Sequence, residues 1–171
     1  MMKIMLQQEV PQKRTIYFLK KEEAAQKRMG KLFEGNYLES RVVCEGQGDG
    51  FFVYVGLGED SIDVNGVKNI CAKAVKEAKP YTEQICLSLA ELGERTGKRY
   101  EERELVGAAA EGILLACHEP AVYQSKQAEK KELTVVFCGV EPSVENERKL
   151  DEKRALAEGI CFARDAVAKP S

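Results

Sequence analysis

The sequence predicts an α/β sandwich, a mixed sheet with helices on both faces. Short apolar runs rich in β-branched and aromatic residues alternate with longer segments of helical period along the chain. Two of these runs flank a glycine-rich turn, Glu45-Gly46-Gln47-Gly48-Asp49-Gly50, which adds an antiparallel hairpin to an otherwise parallel pattern. The length of 171 residues, 44% hydrophobic and 32% charged, suits one domain, 1–171, with a real core.

Thr15–Leu19 (TIYFL) reads as a strand, and the charged, alanine-containing Glu22–Phe33 as a helix. Arg41–Cys44 and Phe51–Val55 form the hairpin. The second of these is continuously apolar, as a central strand covered on both faces would be. After Asp63, residues Val67, Ile70, Cys71, Ala74, Val75 and Ala78 trace one buried helical stripe, with Asp63 as N-cap and Pro80 as the stop. Ile85–Leu89 is the next strand, and Gly93–Arg99 a polar loop. Glu101–Cys117 is a second helix, with Glu101, Glu102 and Glu104 complementing the dipole at its start. Leu133–Cys138 is a buried strand. Glu145–Val167 closes the chain as a long helix with an apolar face of Leu156, Ile160, Ala163 and Val167. The sequence Ala108-Ala109-Ala110-Glu111-Gly112-Ile113 recurs as Ala155-Leu156-Ala157-Glu158-Gly159-Ile160, 47 residues later. Two similar helices packed on one sheet would explain the recurrence, because small residues permit a close approach.

Composition removes several function classes. A net charge of -2 gives no field for steering onto nucleic acid or membrane. Residues 1–41 hold nine Lys/Arg against five Glu, which reads as a solvated basic face. No apolar run approaches the ~20 residues of a membrane span, and MMKIMLQQEVPQKR contains no signal-peptide core, so the expected compartment is the cytoplasm. The six cysteines never form a C-x-x-C pair and sit mostly in apolar runs, so all six are expected to be reduced and structural.

Candidate chemistry is sparse. Val55-Gly56-Leu57-Gly58 follows a strand and precedes a helix, so Gly56 and Gly58 are candidates for a ligand loop. Against that, Ser61 replaces the third glycine of a dinucleotide fingerprint, and Glu59, Asp60 and Asp63 would repel a pyrophosphate. A tight strand-exit turn is the plainer reading. His118 is the only histidine, and Cys117 beside it points about 100° away on a helix, so a helix end explains the pair better than a nucleophile and base. The clusters Glu101/Glu102/Glu104 and Glu145/Glu147/Asp151/Glu152 are interleaved with Arg and Lys and read as solvated helix faces. No catalytic residue and no metal ligand is assigned.

Several blocks, in order, resemble the N-terminal domain of the leucyl (cytosol) aminopeptidase family. Lys31-Leu32-Phe33-Glu34-Gly35-Asn36 resembles the family's F-x-G-K region, and Phe52–Gly58 (FVYVGLG) its V-G-L-G strand and turn. Val67–Ala78 is similar to the alanine-rich helix that follows. Gly107–Leu115 (GAAAEGILL) resembles the A-E-G-L-L helix, and Ala157–Pro170 (AEGICFARDAVAKP) the helix joining the two domains. The likeness covers about residues 30 to 170. It departs at Cys117–Lys126, which keeps only Tyr123 and Lys126 of an aromatic, basic stretch, and at Ala168 and Lys169 in the linker. Before Lys31 the fit is poor, and one strand is expected to be missing or replaced there. The chain is thus similar to a divergent member.

The resemblance implies a macro-domain-like, three-layer α/β/α fold, with residues 155–171 as interdomain helix and linker start. It implies a non-catalytic accessory role in assembly and active-site shielding, within a two-domain parent that removes N-terminal amino acids from peptides. The parent's two divalent metals, zinc or manganese, would sit in a catalytic domain absent here. Implied partners are that domain and the other subunits of a homo-hexamer, with no membrane; some relatives bind DNA, which the mild charge here does not support. The alternative is a free-standing macro-like module binding ADP-ribose or a related nucleotide.

Overall fold

The computed structural model describes residues 2–12, 14–27, 29–44, 50–118 and 132–168. Among the described residues, six strands form two three-stranded sheets. In the first, β1 (Met2–Gln7), β6 (Leu133–Cys138) and β5 (Gln84–Ser88) lie in the order β1-β6-β5, all parallel. In the second, β4 (Phe51–Gly58) sits between β2 (Ile16–Lys20), parallel to it, and β3 (Ser40–Cys44), antiparallel to it. The expected single mixed sheet is therefore divided, with β2 and β5 neighbours but unladdered. Arg95 stands at that division. It donates to the Phe18 carbonyl (3.3 Å) and pairs with Glu23 (2.7 Å) and Glu91 (3.5 Å), while Arg14 takes the other oxygen of Glu91 (2.8 Å).

The helices are α1 (Lys21–Gln26), α2 (Val64–Ala78), α3 (Leu89–Arg95), α4 (Glu102–Ala116) and α5 (Val144–Ala168), with a 3₁₀ turn at Gly30–Leu32. Val53, Val55 and Leu57 of β4 join Val67, Ile70, Ala74 and Ala78 of α2 in the main core, together with Ile85, Leu87, Val135 and Phe137 of the other sheet. On the other side, Leu19, Ala24 and Phe33 form a small second core against Tyr54. Helices thus cover both sheet faces, but the second cover is thin. Phe51, Phe52 and Tyr54 stay half-buried, so β4 is central yet not enclosed on both faces as its apolar run suggested. Tyr17, Phe52 and Tyr54 stack with one another there, at 5.2–6.0 Å between centroids.

Local chemistry explains the element ends. Asp63 accepts the Gly66 N–H at 2.7 Å and caps α2 as its position in the sequence predicts. Glu101 and Glu104 close a capping box on α4, and Ser143 accepts the Asn146 N–H at the start of α5.

Four expectations need correction. The region before Lys31 holds a strand that the sequence reading did not place, Met2–Gln7, which pairs along its full length with β6; its alternation is too short and methionine-rich to announce itself. The helix expected over Glu22–Phe33 ends at Gln26. The expected loop at 93–99 begins as the last turn of α3, whose N-cap Ser88 accepts the Glu91 N–H. Cys86 and Cys138 form a disulfide, with Cα atoms 6.4 Å apart, so not all six cysteines are reduced. Sequence spacing hid that pair because it lies 52 residues apart and meets only through the β5–β6 ladder. The glycine turn at 45–49 and the stretch holding Tyr123 and Lys126 lie outside the described residues.

Gly112 is where α4 meets α2. A Cβ built there would lie 2.2 Å from the Lys68 carbonyl oxygen, a main-chain atom that cannot swing away. Its counterpart in the recurring motif, Gly159, has nothing within 4 Å. The two glycines therefore predict opposite outcomes. Gly112→Ala should destabilise by about 2 kcal/mol or more through overpacking. Gly159→Ala should stabilise by about 0.5–1 kcal/mol through helix propensity. Urea midpoints of the two variants check both signs.

Candidate functional site

The glycine loop is closed by its own chain. A Cβ at Gly56 would lie 2.0 Å from the Asn36 carbonyl oxygen, and Gly58 sits at φ +77° against the Tyr37 side chain. The Gly56 N–H donates to the Glu39 carbonyl (2.7 Å) and the Gly58 N–H to the Gly35 carbonyl (3.0 Å). β4 runs on through both glycines, so the turn expected at Val55–Gly58 lies beyond them. Glu39 locks the facing segment by accepting the N–H groups of Glu34 (3.0 Å) and Asn36 (2.9 Å). Desolvation pushes the Glu39 carboxyl up, but those N–H groups outweigh it and hold it below the usual range. Glu59 beyond the turn pairs with Lys21 at 2.8 Å.

The histidine lies elsewhere. His118 Nε2 is 2.9 Å from Asp165 Oδ1, which ties the end of α4 to the last turns of α5. Cys117 is the C-cap of α4. Cys161, one turn before Asp165, has its thiol pushed up by burial; Arg164 pulls the other way, and Asp165 adds to the rise. A thiol so disposed is protonated at neutral pH and is a poor nucleophile. Among the described residues, no three His, Cys, Asp or Glu side chains gather to hold a metal ion. The carboxylate clusters are interleaved with cations in space as in sequence: a cleft of about 420 Å³ is lined by Arg103, Glu104, Glu145, Arg148, Lys149 and Glu152.

Glu111 is a junction of the helical layer. It accepts the ammonium groups of Lys68 from α2 and of Lys153 from α5 (2.6 Å), joining three helices at one carboxylate. Gly107, one turn earlier on α4, leaves room for the stems of Lys149 and Lys153.

The same helix α5 presents the most conspicuous surface. Its inner side is anchored by Leu150 (0% exposed), Asn146 and Ala157. Asn146 donates to Glu102 and to the Glu141 carbonyl (2.9 Å), and Arg154 donates to the Ile4 carbonyl of the edge strand (2.8 Å). From 158 to 167 no residue of α5 is buried. Leu156, Ala163 and Val167, expected as an apolar face toward the core, face outward instead, together with Phe162 at 77% exposure and Val167 at 88%. Phe162 escaped the sequence reading, which named Gly159 only as part of the recurring hexapeptide. The available signal was that α5 carries apolar residues on opposite sides, Leu150 and Ala157 against Leu156 and Phe162, and a helix packed on one side cannot bury both.

No protein-family model and no curated protein sequence matches the chain. Solved structures do. A tomato leucine aminopeptidase mutant superposes with a TM-score of 0.74 at 16% identity, over 99% of this chain and 39% of that one. The bottromycin maturation enzyme BotP superposes at 0.64 and 24% identity in its complex with Mn, over 91% of this chain and 31% of that one. The chain shares their fold. It spans about a third of the length of these relatives. No helix among the described residues is long and apolar enough to cross a membrane.

The Glu111 junction makes stability pH-dependent. Hydrogen bonds from Lys153 and Lys68 hold its carboxyl below the usual 4.5 despite partial burial. Its contribution is complete above pH 4.5 and is lost as pH falls through its lowered value. Thermal melts from pH 6 to 3 should show an acid-limb loss that is smaller in Glu111→Gln, which starts from a lower plateau.

Proposed function

We propose that this chain is the non-catalytic, N-terminal accessory domain of a metal-dependent aminopeptidase, acting in assembly and in shielding the active sites. The observation that carries this reading is one of proportion. Nearly all of this chain superposes on about a third of an aminopeptidase and of BotP, so the shared unit is one domain of a larger machine. The outward apolar face of α5 supports it, because a surface of that kind is ordinarily covered. The parent would remove N-terminal amino acids from peptides with two divalent ions, zinc or manganese. The residues described here do not fit that role, since no donor set gathers among them, so the ions would belong to the catalytic domain. Partners would be that domain and the other subunits of a homo-hexamer, in the cytoplasm. The ADP-ribose alternative gains no support from the loop, whose glycine N–H groups already bond to the chain.

The purified chain should hydrolyse no leucyl p-nitroanilide with Mn²⁺ or Zn²⁺ present, and calorimetry with ADP-ribose should give no heat of binding. Metal-dependent hydrolysis would overturn the accessory reading. Micromolar ADP-ribose binding would replace it with the alternative.

A further inference from the structure

The disulfide is a pair of reactive groups that the accessory role does not use. Cys86 and Cys138 lie on neighbouring strands, out of step with each other: Cys86 is level with Val136, and Cys138 with Ser88. Side chains alternate along a strand, so the bridge lies on the face opposite Ile85, Leu87, Val135 and Phe137, and it takes no part in the main core. That face is thinly covered, since Met5, level with Val136 on the other side of β6, is 43% exposed. The two sulfurs differ in access. Cys138 is fully buried, whereas Cys86 is partly exposed.

The carboxyl ends of these strands lead to the joint between the sheets. Ser88, just beyond Cys86, caps α3 by accepting the Glu91 N–H. Gly139, next to Cys138, packs so closely on α3 that a Cβ there would lie 2.6 Å from the Ala90 side chain. The helix then ends at Arg95, which holds the Phe18 carbonyl of β2 and Glu23 of α1 across the unladdered division. With only seven residues, α3 stands on that cap, that contact and that network. Whatever ties β5 to β6 at this end therefore also steadies α3.

We propose that Cys86–Cys138 is a thiol–disulfide switch that fixes α3 and its Arg95 joint when oxidised and loosens them when reduced. The co-reactant is a dithiol. Its thiolate attacks the accessible Cys86 Sγ, the S–S bond breaks, and the electron pair leaves with Cys138, which takes up a proton. The second thiol of the reductant then displaces Cys86, which is protonated in turn, and the reductant departs as a disulfide. Two electrons and two protons pass to the chain. A disulfide oxidant runs the same exchange backwards and leaves as two thiols. The thiol released at Cys138 has an acceptor at hand, the Val136 carbonyl 3.7 Å from its sulfur. In a cytoplasmic setting a bridge of this kind is made and broken in use. That setting rests on the accessory reading, whereas the geometry does not.

The test equilibrates the folded chain with reduced and oxidised dithiothreitol at graded ratios. Alkylation and mass measurement locate the free thiols, and hydrogen exchange is followed at both extremes. Cys86 and Cys138 should gain and lose the label together and reversibly. Reduction should speed exchange of the α3 amides about tenfold or more, with α2 and α4 unchanged. Cys86→Ala, which removes the accessible sulfur, should show the fast α3 exchange at every ratio. A bridge that opens only when the chain unfolds would overturn the proposal, as would opening that leaves α3 exchange unchanged. Equal acceleration in α2 and α4 would also overturn it, by marking an ordinary stabilising cross-link. Hydrolysis of leucyl substrates by the chain sinks the accessory reading alone and leaves the exchange result standing.

Discussion

At Gly112 two helices approach until only a hydrogen atom fits between them, and the helical layer depends on that contact. The α2 carbonyl at Lys68 occupies the space a side chain would need. Close approach brings Lys68 within reach of Glu111, and the other oxygen of Glu111 takes Lys153, so the position of α5 follows from the packing of α2 on α4. A half-buried carboxylate with two cations is stable only while both stay in place, because removing one leaves charge without compensation. The inner side of α5 adds Leu150 and the Asn146–Glu102 bond, and Arg154 reaches across to the edge strand. The N-terminal half of α5 is thereby held on one side only, which leaves the opposite side to solvent.

Much of this was legible in the sequence. The stripe from Val67 to Ala78, the Asp63 cap and the strand Leu133–Cys138 follow from local periodicity and side-chain chemistry, and they stand where expected. What escaped depended on contacts between distant residues. β1 gains strand character from its ladder with β6, not from its own composition. α3 is shorter than two helical turns and depends on Ser88 and the Arg95 network. The disulfide required knowledge of which strands lie side by side. The glycines of the V-G-L-G run stayed candidates for a ligand loop beside the plainer turn reading because sequence shows the missing side chains but not what fills their space, here the Gly35–Tyr37 segment.

The recurring Ala-Glu-Gly motif shows the same limit from the other direction. Two identical tripeptides predict two equivalent packing sites, yet one is filled and the other faces water. Sequence encodes the shape of such a site, while its occupancy depends on what else is present. A fold whose described core is closed and whose α5 is apolar on its outer side is the kind of unit that the proposed accessory role would require.

Hydroxyl-radical footprinting of α5 tests that account most directly, since it reads solvent access side chain by side chain. Phe162 should oxidise at close to the rate of an accessible residue and the less exposed Leu156 more slowly, while Leu150 on the same helix stays protected. Protection of Phe162 equal to that of Leu150 in the isolated monomeric chain would mean that the outer face is already covered, and the account would be contradicted.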